Sequence, residues 1–239
     1  VGQCRPAAWA ARRGDNPAML RITELRLPLA HAEDALRPAI RARLGLDDDA
    51  DLVAFTVFKR AYDARKKTAI VLIYTVDCTL RDGVEAALLA QFDGDPHVRP
   101  SPDTGYRFVG HAPADFATSG ERRRPLVIGF GPCGIFAALI LAQMGLKPIV
   151  LERGKEVRQR TKDTWGLWRQ RTLNPESNVQ FGEGGAGTFS DGKLYSQIKD
   201  PRHYGRKLLE EFVKAGAPEE ILYVSRPHIG TFRLVTMVE

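Results

Sequence analysis

The feature that most constrains this chain is an uncharged run of 22 residues, Pro125–Leu146 (PLVIGFGPCGIFAALILAQMGL), broken in its first half by Gly129, Gly131, Pro132 and Gly134. A run of that length can cross a bilayer. A spanning helix, however, must close its own backbone hydrogen bonds, and four breakers in six residues prevent that. A strand, a tight turn and a helix account for every breaker. The apolar segment Pro148–Leu151 then follows across a short turn, so the grammar is strand–turn–helix–turn–strand rather than membrane.

Leu126–Ile128 reads as a short strand ending in Gly129-Phe130-Gly131-Pro132-Cys133-Gly134. A lone G-x-G-x-x-G is weak evidence, but here each glycine has a task. Gly129 suits the tight turn, Gly131 the approach of backbone to a pyrophosphate, and Gly134 the close packing of helix on strand. The helix expected over Ile135–Met144 carries the small Ala138 and ends at Gly145, as a left-handed cap would. Its N-terminus presents unpaired N–H groups and a partial positive charge to an anion. Glu152 closes the next strand, 23 residues after Gly129, where a carboxylate accepts hydrogen bonds from an adenosine ribose. That carboxylate repels a 2′-phosphate, which leaves NAD and FAD. Arg153 can lie along the adenine or phosphates, or be an ordinary solvated arginine. Cys133 reads better as a small side chain in a cramped turn than as a thiolate, because no His or second Cys is near it in sequence.

A second glycine cluster, Phe181–Leu194 (FGEGGAGTFSDGKL), holds Gly182, Gly184, Gly185, Gly187 and Gly192. Glycines admit positive φ and let backbone approach a flat ligand; Thr188, Ser190, Asp191 and Lys193 add polar groups. A surface loop is the plain alternative. Ahead of it, Lys155–Arg171 fits a helix with Val157, Thr161, Trp165 and Trp168 on one face, the tryptophans being expected to pack.

Upstream the pattern differs. Leu20–Leu29 alternates apolar and polar, as a half-buried strand does. Glu33–Leu44 places Leu36, Ile40 and Leu44 on one helix face that Gly45 ends. Leu52–Phe58 and Thr68–Val76 are β-branched and aromatic runs about a polar connection, Lys59–Lys67, and read as a hairpin. Val84–Phe92 is a second helix, and a last strand is expected near Tyr106–Val109. The order suggests a split β-α-β unit, of which the ferredoxin-like arrangement is one form. The expected organisation is therefore a non-native or disordered leader over 1–18, a small α+β domain over 19–109, a linker over 110–124, and a Rossmann-like α/β domain over 125–239. Three widely spaced cysteines, Cys4, Cys78 and Cys133, offer neither a zinc motif nor a disulfide framework, which suits a reducing, cytoplasmic setting. A formal charge of +6 permits an anionic partner without requiring one.

RPLVIGFGPCGIFAALILAQMGLKPIVLERG followed by NVQFGEGGAGTFSDGKL resembles the bacterial family of NAD(FAD)-utilising, FAD-dependent dehydrogenases, and Asp63–Lys67 (DARKK) resembles that family's leading α+β domain. The resemblance runs from Met19 onward, with the second glycine loop its more specific part. It implies FAD at the Gly129–Glu152 site, held by Gly129, Gly131, Pro132, Cys133 and Gly134 at the pyrophosphate and by Glu152 at the ribose. The Gly182–Lys193 loop would lie along the pyrophosphate or ring. It supplies no substrate. After Glu152 only Glu220–Ser225 reads as a further strand, so the Rossmann-like sheet is expected to be incomplete, its substrate domain missing.

The leading functional expectation is a flavin-dependent oxidoreductase passing hydride between a nicotinamide, NAD(P)H, or an unknown substrate and FAD. Lys193 and His228 are its weak catalytic candidates. The alternative is a flavoprotein that binds RNA through Lys59–Lys67, which carries five cations and one tyrosine in nine residues and could neutralise phosphates; the solvated end of a hairpin explains the same residues more simply. Membrane association lacks a basic amphipathic helix.

Overall fold

A computed structural model describes residues 19–116 and 123–239; the leader expected over 1–18 and the middle of the linker expected over 110–124 lie outside them. The chain divides into two compact units. One comprises the residues up to Asp103 with Tyr223–Ser225, the other Thr104–Leu222 with Arg226–Glu239.

The first unit runs β1 (Met19–Pro28), α1 (Leu36–Leu44), β2 (Leu52–Asp63), β3 (Val71–Leu80), α2 (Val84–Gln91) and β4 (Val98–Pro100). Its sheet has the order β2-β3-β1-β4 with every neighbour antiparallel. Strict alternation in β3 buries Leu72, Tyr74, Val76, Cys78 and Leu80 on one face. These pack with Leu36, Ile40 and Leu44 of α1 and Leu88 of α2, so the period of 2 in the strand and that of 3.6 in the helix meet in one core. Burial pushes the Cys78 thiol up to about 12. Arg21, 3% exposed, meets Asp77 with two hydrogen bonds of 2.6 and 2.7 Å and lies over the Phe58 ring, which offsets the cost of burying its charge.

Two expectations shift here. β2 continues into the basic run as far as Asp63, and β4 sits at Val98–Pro100 rather than near Tyr106–Val109. Nor does Glu220–Ser225 form a strand beside the glycine motif. Glu219–Leu222 is a 3-10 turn, and Val224 makes a parallel bridge with Arg60 on the outer edge of β2. There the Arg60 N–H donates to Tyr223 O at 2.7 Å, and Arg60 O accepts from the Ser225 N–H at 2.8 Å. Backbone groups on an edge strand need such partners.

In the second unit β5 (Leu126–Ile128), α3 (Pro132–Gln143) and β6 (Ile149–Leu151) form a β-α-β unit with the strands parallel, Val127 opposite Val150. Then come α4 (Val157–Gln170), α5 (Tyr204–Lys214) and α6 (Thr231–Val238). Ala217, Ile221, Ile229 and Leu234 form a small core with Leu209, Phe212 and Met237 around it. The Rossmann-like sheet expected over 125–239 amounts, among the described residues, to this parallel pair. Its outer face shows Leu126, Ile128, Ile149 and Leu151, with Ile128 80% exposed. The boundary expected at 109 falls earlier, at Asp103, because the aromatic residues beyond it pack on α5: Tyr106 meets Tyr204 edge-on, and the Lys207 ammonium lies over the Tyr106 and Phe108 rings. No helix among the described residues is long and apolar enough to cross a membrane.

Candidate dinucleotide site

The first glycine loop is built from three different steric demands. Gly129 has φ +91°, in the left-handed region, and a Cβ there would meet nothing. Its N–H donates to Leu151 O at 2.7 Å, tying the turn to the end of β6. Gly131 precedes α3 in extended backbone, and a Cβ on it would touch only Gly185 Cα, at an ordinary 3.7 Å. Gly134 is closed, because a Cβ there would overlap the Gly129 carbonyl. Pro132 is the first residue of α3, where its fixed φ starts a helix and its missing N–H costs nothing. The first N–H groups of such a helix have no partner within it. Cys133, exposed, stands at the same end.

Glu152 binds the loop from below. Its carboxylate accepts the Phe130 N–H at 2.7 Å and the Gly154 N–H at 2.8 Å. Partial burial raises its pKa, but the N–H groups of Gly154, Phe130, Arg153 and Gly182 outweigh that and hold it below the usual carboxylate value. An ionised carboxylate offers about four acceptor positions, and these four N–H groups engage them, so the carboxylate first of all fixes the shape of the turn. Arg153 turns away, making a bidentate pair with Glu176 at 2.6 Å and lying over the Phe181 ring.

The second loop folds against the first. The Gly184 N–H donates to Phe130 O at 2.8 Å, and a Cβ on Gly185 would come within 2.9 Å of Gly131 Cα. Gly182, Gly184 and Gly185 all have positive φ. Thr188 is buried, its hydroxyl in the space a Cβ on Gly184 would need. Ser190 serves the loop itself, donating to Gly187 O and accepting from the Gly192 N–H. Asp191 pairs with Lys193 at 3.0 Å, and Lys193 forms an antiparallel bridge with His228, an exposed pairing that also sets Gly192 against Ile229. The structure thus gathers Gly129, Gly131, Pro132, Cys133, Gly134, Glu152, Gly182, Gly184, Gly185 and Thr188 about one junction. Ser190, Asp191, Gly192 and Lys193 belong to the bridge that leads into α6, and Arg153 to its own ion pair.

Two residues that the sequence reading passed over complete the junction. A Cβ on Gly154 would come within 2.5 Å of Gly182 N. Arg160, fully buried on α4, donates to Asn178 O, Val179 O and Glu183 O at 2.8, 2.6 and 2.7 Å. The expected packing face of α4 is corrected accordingly: its buried residues are Val157, Arg160 and Thr164, while Trp165 and Trp168 are 41% and 52% exposed and pair edge-to-face. An arginine spaced i+3 from Val157, on the inward stripe, was the available signal.

Residues 19–79 match the family described as "Domain of unknown function (DUF8436)". Over 223 residues the chain is 41% identical to an "Uncharacterized protein" of Clostridium beijerinckii, covering 92% of this chain and 39% of that protein. The chain thus spans about two fifths of the length of this relative. The similarity takes in both glycine loops together with most of the first unit, because 92% of the chain leaves too few residues outside it to exclude either.

Proposed function

We propose that the second unit binds the pyrophosphate and ribose of FAD, and that the protein belongs to a flavin-dependent oxidoreductase acting on a substrate of unassigned class, with NAD(P)H as the candidate electron donor. The observation that carries this reading is the contrast among the three glycines of the first loop. Gly129 is open and left-handed, Gly131 is extended and met only by Gly185 Cα, and Gly134 is closed against the Gly129 carbonyl; turn, approach and packing are the three roles a dinucleotide loop requires. The position of Glu152, directly after β6 and 23 residues after Gly129, supports the ribose assignment. The second loop, resting on Gly131, supports FAD, whose longer body needs a second backbone surface. Bound flavin would supply hydride acceptance; the residues of this chain position it, orient its ribose and offer N–H groups to its phosphates.

The RNA-binding alternative has less behind it. Arg65 is paired with Asp63 at 2.6 Å and Arg60 lies over the Tyr223 ring, which leaves Lys59, Lys66 and Lys67 as the cations of that run available for phosphate. Titration with FAD, NAD and an RNA oligonucleotide separates the readings. Saturable binding of FAD over NAD supports the flavin site. RNA binding that falls steeply with salt and is lost on replacing Lys66 and Lys67 supports the alternative.

A further inference from the structure

We propose that Arg160 is a positioning residue for this site: its guanidinium pins the carbonyls of Asn178, Val179 and Glu183 and so holds Gly182–Gly185 against Gly131 and Gly154 in the geometry that receives a pyrophosphate. The proposal rests on the flavin reading above.

Arg160 is 0% exposed, and its guanidinium donates to three carbonyls and, at 3.4 Å, to the Thr188 hydroxyl. A buried charge is costly unless it is compensated. Here the compensation comes from backbone dipoles, the field of Glu152 and the Phe189 ring, 4.8 Å from the guanidinium carbon. The planar fork of arginine can reach several carbonyls at once; a lysine ammonium is a single point on a flexible stem and cannot span them. Gly182 fits the same arrangement, since a Cβ there would come within 2.5 Å of Arg160 Cδ.

The loop is coupled to the first glycine turn through one peptide unit. Its carbonyl, of Glu183, accepts from Arg160 at 2.7 Å. Its N–H, of Gly184, points the opposite way and donates to Phe130 O at 2.8 Å. The Phe130 N–H in turn donates to Glu152. Arg160, the Glu183–Gly184 peptide and the backbone of Phe130, which is held on its other side by Glu152, therefore tie the two glycine loops together.

The test compares the wild-type chain with Arg160→Lys, Arg160→Met and a control, Ile221→Ala, in the small core of the same unit. FAD affinity is measured by titration, and amide exchange across Gly182–Thr188 is followed without FAD. Both Arg160 variants should weaken FAD binding by about tenfold or more, as expected for displaced positioning groups, and should speed exchange in the loop. Ile221→Ala, which trims the small core and removes none of the hydrogen-bond partners of Arg160, should keep affinity within about twofold. Folded Arg160→Lys and Arg160→Met chains that bind FAD like the control overturn the proposal while leaving the flavin reading intact. A folded wild-type chain that takes up no FAD overturns both. If Arg160→Met does not fold, Arg160→Lys carries the comparison.

Discussion

Gly131 and Gly134 stand three residues apart under opposite constraints. A Cβ at Gly131 meets only Gly185 Cα, at an ordinary contact distance of 3.7 Å, so Gly131→Glu should fold and yet fill the space assigned to the pyrophosphate; circular dichroism should match wild type while FAD binding is lost. A Cβ at Gly134 overlaps the Gly129 carbonyl, so Gly134→Ala should lower stability by about 1–3 kcal/mol, the range for overpacking, measured by denaturant unfolding. Glu152 has a pH signature. Its folded pKa lies below the ordinary value of 4.5, so its contribution is complete above that value and is lost as pH falls through the folded one. The stability gap between wild type and Glu152→Gln should therefore close on acidification, read from unfolding midpoints across the acid range. The two described cysteines should differ in a thiol-labelling assay on Cys4→Ser protein. Exposed Cys133 should react at once, Cys78, buried and pushed up to about 12, only on unfolding, and bound FAD should shield Cys133.

At the scale of elements, side-chain periodicity was legible and loop engineering was not. The alternation of β3 and the Leu36–Ile40–Leu44 stripe of α1 identify the first core, because each places apolar groups on one face regardless of what lies opposite. The strand–turn–helix over 126–143 was equally readable, since its glycines have few other uses. β4 is three residues long, too short to show a period. On α4, the helical spacing of the tryptophans with Val157 suggested burial, whereas Val157, Arg160 and Thr164 go inside, Arg160 because it donates to the carbonyls of Asn178, Val179 and Glu183. The need for that donor comes from a loop further along the chain, and its one local trace is the i+3 spacing of Arg160 from Val157. The outer face of β5 carries the matching prediction: Ile128, 80% exposed, should tolerate Thr within about 0.5 kcal/mol, whereas Ile40→Ala in the first core should cost about 2–5 kcal/mol, both read from denaturant midpoints.

At the scale of the whole molecule, the first unit has, among the described residues, a core of fourteen buried residues and the second a cluster of four. The second unit therefore relies more on the Arg160 hydrogen bonds and the contact between its glycine loops, and a ligand joining those loops should stabilise it by mass action. The match to the domain of unknown function ends at residue 79, inside the first unit, so the flavin proposal stands on the geometry of residues 129–188. The measurement that tests it most directly is the visible absorption spectrum of the purified chain after incubation with FAD and removal of free ligand, beside Gly131→Glu treated alike. The account predicts a flavin spectrum in wild type, released as FAD on heating, and none in the variant. A folded wild-type chain that stays colourless, or a Gly131→Glu chain that keeps the colour, would contradict it.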